Sequence, residues 1–188
     1  MAQREAVTTP PSQGTARRNR RTLLLIAFVA IAPVIASYAA YYLFPRDKQI
    51  NYGELLATKP APAIASFKWD DGKWTLAIAA GGACDASCIA ALYATRQART
   101  IQGREMERVR RVWFVTDDAT PEPALLVQHP ELIVVRDAKN AFASWPAGDQ
   151  RIYLVDPLGN MVLAWPRDPD IKKLAKDVER LLRASRIG

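Results

Sequence analysis

The chain has 188 residues and a mass of 20.9 kDa, room for one ordinary domain and an appendage but not for two full domains. Hydrophobic residues make up 49% and charged residues 24%, which excludes wholesale disorder and a multi-span membrane protein. The net charge of +7 is concentrated at one end: residues 1–21 hold five Arg and one Glu, leaving only +3 for the rest, and no nucleic-acid motif accompanies that remainder.

From Thr22 to Phe44 run 23 residues without a charge, long enough at about 1.5 Å per residue to cross a hydrocarbon core of about 30 Å. One transmembrane helix over 22–44 is the expectation, with the lipid bilayer as its partner. Arg17, Arg18, Arg20 and Arg21 precede it, and only Arg46 and Lys48 follow closely, with Asp47 between them. Positive-inside reasoning therefore makes residues 1–21 a disordered cytoplasmic tail. It places everything after Pro45 outside the cytoplasm, the periplasm of a bacterial-type inner membrane. A cleaved signal peptide ending at Ala30-Ile31-Ala32 is the other reading. The apolar run continues twelve residues past that point, and Tyr38, Tyr41 and Tyr42 gather at its far end like an interfacial belt. Either way the same domain reaches the same compartment. Residues 45–65, with Lys59-Pro60-Ala61-Pro62, read as a linker, and 66–188 as the folded domain.

Within that domain Lys73–Ala79 reads as a strand ending at Gly81-Gly82, followed by a helix from Asp85 to about Glu107 with Ile89, Leu92, Tyr93 and Arg96 on one face. Val109–Thr116 is the next strand, Pro121–Gln128 a short helix and Leu132–Arg136 a short, well-buried strand. Gln150–Val155 and Asn160–Trp165 flank Asp156-Pro157-Leu158-Gly159 as a hairpin. Asp168-Pro169 then opens a helix striped by Ile171, Leu174, Ala175, Val178, Leu181 and Leu182. Apolar strands in this order call for helices on both faces of a sheet, as in a thioredoxin-like α/β fold with a central mixed sheet.

Two cysteines occur, Cys84 and Cys88, where the first strand's loop turns into the first helix. Free N–H groups at a helix start stabilise a thiolate, and Cys88 lies one turn deeper on the same face. Three chemistries are open. The two thiolates can hold Cu(I), the pair can cycle to a disulfide, or the disulfide is a permanent staple. A staple over so short a gap removes little unfolded-state entropy.

The CxxxC pair after a strand, the strand Val112-Trp113-Phe114-Val115 ending in Thr116-Asp117-Asp118, and the hairpin Tyr153-Leu154-Val155-Asp156-Pro157-Leu158-Gly159 carry a resemblance. Over residues 22–188 the chain resembles the SCO/SenC proteins of cytochrome c oxidase copper-centre assembly. The resemblance implies a single N-terminal anchor, a thioredoxin-like domain, copper at Cys84 and Cys88, and oxidase subunits or other assembly factors as partners. Family members also carry Pro beside the CxxxC segment and a copper-ligating His a little before the hairpin. Here the segment is Asp85-Ala86-Ser87, and Ala147-Gly148-Asp149-Gln150 contains no His. His129, the only histidine, falls about twenty residues earlier. It is a poor third ligand and reads as a surface or loop-capping residue. Cu(II), which favours nitrogen donors, would be held poorly.

Arg104, Arg108, Arg110 and Arg111 read as a solvated helix end or as a docking patch for an acidic partner. No phosphate loop, paired carboxylates, Ser/His/Asp set or zinc cluster appears, so sulfur carries any chemistry, and an enzyme here is at most a thiol–disulfide oxidoreductase. Three functions follow: an oxidase assembly factor delivering copper or reducing its target's cysteines, a general periplasmic thiol–disulfide oxidoreductase, and a non-catalytic assembly scaffold.

Overall fold

The computed structural model describes residues 13–43, 51–136, 138, 142, 145 and 151–187, with only the backbone for 13–19 and 41. The chain divides into two units, Met1–Gln49 and Ile50–Gly188.

The first unit contains one helix, α1 (Gln13–Leu43). Its stretch Arg20–Ala40 has a mean hydropathy of 2.4 and is long and apolar enough to cross a membrane. Pro33 lies inside the helix, and the Tyr38 and Tyr42 rings stack 6.5 Å apart near its end. The tail expected to be disordered over 1–21 is helical from Gln13, because Ala16 and the arginines extend a helix already nucleated in the apolar run and Gly14 falls only in its first turn. Residues 1–12 of that tail, and 45–50 of the expected linker, lie outside the described residues.

The second unit is built on a six-stranded mixed sheet in the order β1-β6-β5-β2-β3-β4. Its strands are β1 (Glu54–Pro60), β2 (Trp74–Ala80), β3 (Val109–Val115), β4 (Leu132–Val135), β5 (Arg151–Val155) and β6 (Asn160–Pro166). Strands β2, β3 and β4 run parallel, while β5 is antiparallel to β2, and β6 to β5 and β1. The β5–β6 hairpin turns on Asp156, whose carboxylate accepts the Leu158 and Asn160 N–H groups, and on Gly159 at φ +88°. The segment expected as a linker thus contains β1, which pairs along β6. Its Lys and Pro suit an edge strand, where no further ladder is needed. Strand β4 sits at the other edge and is only partly buried, less than its apolar sequence suggests.

The helices are α2 (Ala86–Ile101), α3 (Pro123–Gln128) and α4 (Ile171–Ala184), with a 3₁₀ segment Gly103–Arg108 after α2. The helix expected to reach Glu107 therefore breaks at Gly103, which adopts φ +59°. The face of α2 turned to the sheet is lined by Cys88, Ala91, Leu92, Thr95 and Ala98, leaving Ile89 and Tyr93 about half exposed. Small side chains let this helix lie close to the strands, and this replaces the expected Ile89–Leu92–Tyr93–Arg96 face. The cap of α4 is Asp170, whose carboxylate accepts the Lys173 N–H, rather than Asp168.

Strand alternation sorts the core into two clusters. Leu76, Ile78, Trp113, Leu154, Leu163 and Trp165 pack with α2 and α4. Ala77, Phe114, Tyr153 and Ala164 face the other way, where Ile64, Trp69, Ala138, Phe142 and Trp145 cover them. None of α2, α3 and α4 contributes to this second cluster, and Phe142 stands in a 3₁₀ conformation.

The start of the unit is tied down by a buried carboxylate. Asp177 on α4 accepts from the Gly53 N–H at 2.8 Å, the Tyr52 N–H at 3.2 Å and Trp165 Nε1 at 3.1 Å. Gly53 is required there, since a Cβ would overlap the Trp165 indole.

Candidate functional site

The loop after β2 runs Gly81-Gly82-Ala83-Cys84 and delivers the chain into α2. The Cys84 N–H closes a turn onto the Gly81 carbonyl at 3.0 Å, and Cys84 takes a left-handed φ of +46°, unusual for a residue with a side chain. The loop lies directly against the one after β3. Asp117 Oδ1 accepts the Gly82 N–H at 2.7 Å and the Ala119 N–H at 3.1 Å, and a Cβ on Gly82 would overlap the Ala119 carbonyl. Gly82 is thus a steric requirement of this contact, and a Cβ on Gly81 would press on the Asp117 carboxylate.

Asp85 is the N-cap of α2 and accepts the Cys88 N–H at 2.8 Å. Cys84 and Cys88 form a disulfide, with Cα atoms 5.2 Å apart. Both sulfur residues belong to the helix-covered core. Cys88 is fully enclosed, and Cys84 keeps 7% of its surface exposed. A thiolate arriving from solvent therefore meets Cys84 first. One turn deeper, Cys88 sits in the first turn of α2, where the positive end of the helix dipole favours negative charge on a leaving sulfur.

His129 does not join this pair. It is buried at the end of α3, not a surface residue, and its Nδ1 accepts from Arg111 Nη2 at 3.1 Å. Burial, then the positive charges of Arg111 and Arg96, lower its pKa to about 4, so the ring is neutral near pH 7 with its proton on Nε2. No group of three or more His, Cys, Asp or Glu side chains gathers to hold a metal among the described residues. The segment Ala147–Gln150, where the SCO/SenC resemblance would put a histidine, lies outside them.

Three of the four arginines read as a surface patch turn inward instead. Arg108 donates to the Leu182, Ser185 and Ile187 carbonyls. Arg110 pairs with Asp71 and donates to Thr75 Oγ1. Arg111 is 2% exposed and donates to the Leu92 carbonyl, with its pKa lowered to about 10 by burial and then by Arg96 and Arg99. Arg108 binds the carbonyls that follow α4, and Arg110 and Arg111 satisfy carbonyls nearer the interior, so sequence charge alone misplaced them. Only Arg104 is exposed as expected.

Sequence reasoning also passed over Arg167, just beyond β6, which donates to the Ala79 carbonyl and to Ser87 Oγ at 3.4 Å and stands 3.9 Å from Asp85. A lone Arg in a Pro-Arg-Asp-Pro loop carries no periodic signal. Only the fold brings it to the cysteine segment.

A mixed sheet with a CxxxC pair at the first helix of the core defines a thioredoxin-like protein. The chain belongs to the family described as "Transmembrane-like, thioredoxin-like, C-terminal domain", which matches residues 74–185. Among solved structures it is similar to apo Sco1 from Thermus thermophilus, at 18% identity and a TM-score of 0.52, covering 71% of this chain and 96% of that one. It is also similar to yeast Sco1 with copper bound, at 20% identity and a TM-score of 0.51, covering 61% and 80%. At these identities the likeness is one of fold. No curated protein matches the chain.

Proposed function

We propose that this chain is a membrane-anchored, thioredoxin-like factor that uses Cys84 and Cys88 in thiol–disulfide exchange or Cu(I) transfer during cytochrome c oxidase assembly outside the cytoplasm. The observation that carries this reading is the bonded pair at the N-terminus of α2, with Cys84 slightly exposed and Cys88 enclosed beneath it. In the reduced state Cys84 attacks a partner disulfide and forms a mixed disulfide. Cys88 then attacks Cys84 Sγ, which releases the partner as a dithiol and leaves the Cys84–Cys88 bond. Two electrons pass to the partner, and two protons leave this pair for the partner's sulfurs.

Copper is written here as cargo. Two thiolates suit soft Cu(I), whereas His129 is committed to Arg111, so Cys84 and Cys88 would hold it without a histidine among the described residues. The likeness in fold to a Sco1 with copper bound supports this reading.

The test is a Cu(I) titration of the reduced full chain in detergent, in competition with a chromogenic chelator. One equivalent should bind, and Cys84→Ser or Cys88→Ser should abolish it. Absence of binding, with reversible reduction retained, would leave general thiol–disulfide exchange. A Cys84→Ser/Cys88→Ser variant that still supports oxidase assembly in cells would leave the scaffold reading.

A further inference from the structure

Residues 22–169 hold fifteen bases and fifteen acids, while residues 170–188 hold six bases and three acids. The whole net charge of +3 beyond the N-terminal tail therefore sits on α4 and the few residues beside it. This helix turns Leu174, Ala175, Val178 and Leu182 to the core and Lys172, Lys173, Lys176, Glu179 and Arg183 to solvent. Its acids are already engaged: Asp170 pairs with Lys173, Glu179 with Arg183, and the buried Asp177 with the first residues of the unit. Lys172, Lys176 and Arg186 have no carboxylate partner among the described residues. The same helix holds the point where the chain enters the domain, since Tyr52 and Gly53 donate to Asp177 and Arg180 donates to Asn51 Oδ1 at 2.9 Å. Eight residues separate Tyr52 from Leu43, the last residue of α1, so this tether reaches at most about 30 Å. So short a tether makes the meeting of domain and bilayer an intramolecular event, in which a few weak contacts suffice. Tyr52 adds an amphipathic ring beside the basic face, 38% exposed and 5.4 Å from the Lys173 ammonium.

We infer that the exposed face of α4, through Lys172, Lys173, Lys176 and Arg183, binds the anionic phospholipid headgroups of the bilayer that anchors the chain. Clustered ammonium and guanidinium groups close to a membrane anchor are drawn to such headgroups, and the attraction fades beyond a Debye length of about 8–10 Å. The inference rests on the membrane anchoring in the reading above and not on its sulfur chemistry.

The experiment inserts the full chain into nanodiscs of phosphatidylcholine, alone or with about one quarter phosphatidylglycerol, and follows lysine acetylation by mass spectrometry. Lys68, exposed on the segment that covers the other face of the sheet, is the internal reference. In the anionic discs Lys172, Lys173 and Lys176 should react roughly threefold more slowly, relative to Lys68, than in the neutral ones. About 1 M NaCl should erase the difference, since charges then act over only about 3 Å. In Lys172→Glu/Lys176→Glu, whose acids suit the first turns of a helix, Lys173 should react alike in both discs. Equal rates for the parent in the two discs, or protection that survives the salt or the variant, overturns the inference while the anchor stands. A chain that alkaline carbonate strips from phosphatidylcholine vesicles overturns both.

Discussion

On the helix-covered face of the sheet, Leu76, Ile78, Leu154 and Leu163 meet Ala91, Leu92, Leu174 and Val178 of α2 and α4. On the opposite face, Phe67, Trp69, Phe114, Phe142, Trp145 and Tyr153 form a run of rings with centroids 4.4 to 6.5 Å apart. Trp74, Trp113 and Trp165 also belong to the helix-covered side, where they pack among aliphatic and small side chains, whereas on the other side the rings pack mainly on one another. The difference bears on where chemistry can sit. The cysteine pair needs a helix N-terminus held in a defined position, and α2 on the first face offers it.

The largest expected effect is on the helix face. Trp165 is fully buried and donates to Asp177. Trp165→Ala should cost about 3–5 kcal/mol in urea unfolding, from the cavity and from the weakened anchor of the unit's first residues. A loss smaller than that of a conservative change on the aromatic face would invert the comparison.

His129 sharpens the contrast through pH. Its pKa is about 4 in the folded protein against an ordinary 6.5, so between those values the unfolded chain takes up a proton that the folded one refuses. Stability is whole above about pH 6.5 and falls as the pH drops toward 4, by up to about 3 kcal/mol. His129→Gln should flatten this slope, as followed by unfolding at a series of pH values.

Reducing the Cys84–Cys88 bond should cost about 2 kcal/mol, because the loop it closes is short, and should leave far-UV circular dichroism unchanged. Loss of helix signal on reduction would make the bond a structural staple. The smallest effect belongs to the aromatic face: Phe114→Leu should cost about 1 kcal/mol and mainly alter near-UV dichroism, since the neighbouring rings can shift.

Strands β2 and β3, the Asp156–Gly159 hairpin and α4 were legible in the sequence because each announces itself over a few residues, through an apolar run, turn chemistry or a 3.6-residue stripe. Strand β1 was not, since Lys59 and Pro60 read locally as a linker and become a strand only by pairing with β6, about a hundred residues away. The buried face of α2 was misread for a related reason. Periodicity marks large apolar residues, while close approach to the sheet selects small ones such as Ala91 and Ala98. The cysteines were found from their local position at a helix start. Arg167 and Asp117 reach that segment only through the folded chain.

Sequence alone determined the apolar span, the thioredoxin-like order of strands and helices, and the placement of two sulfurs at the start of α2, because these depend on neighbours within one or two turns. Tertiary structure decided which cysteine is the less enclosed, that His129 answers to Arg111 instead of the cysteines, and that Arg110 and Arg111 serve the interior. Those outcomes depend on burial and on contacts between distant segments, which no local pattern encodes.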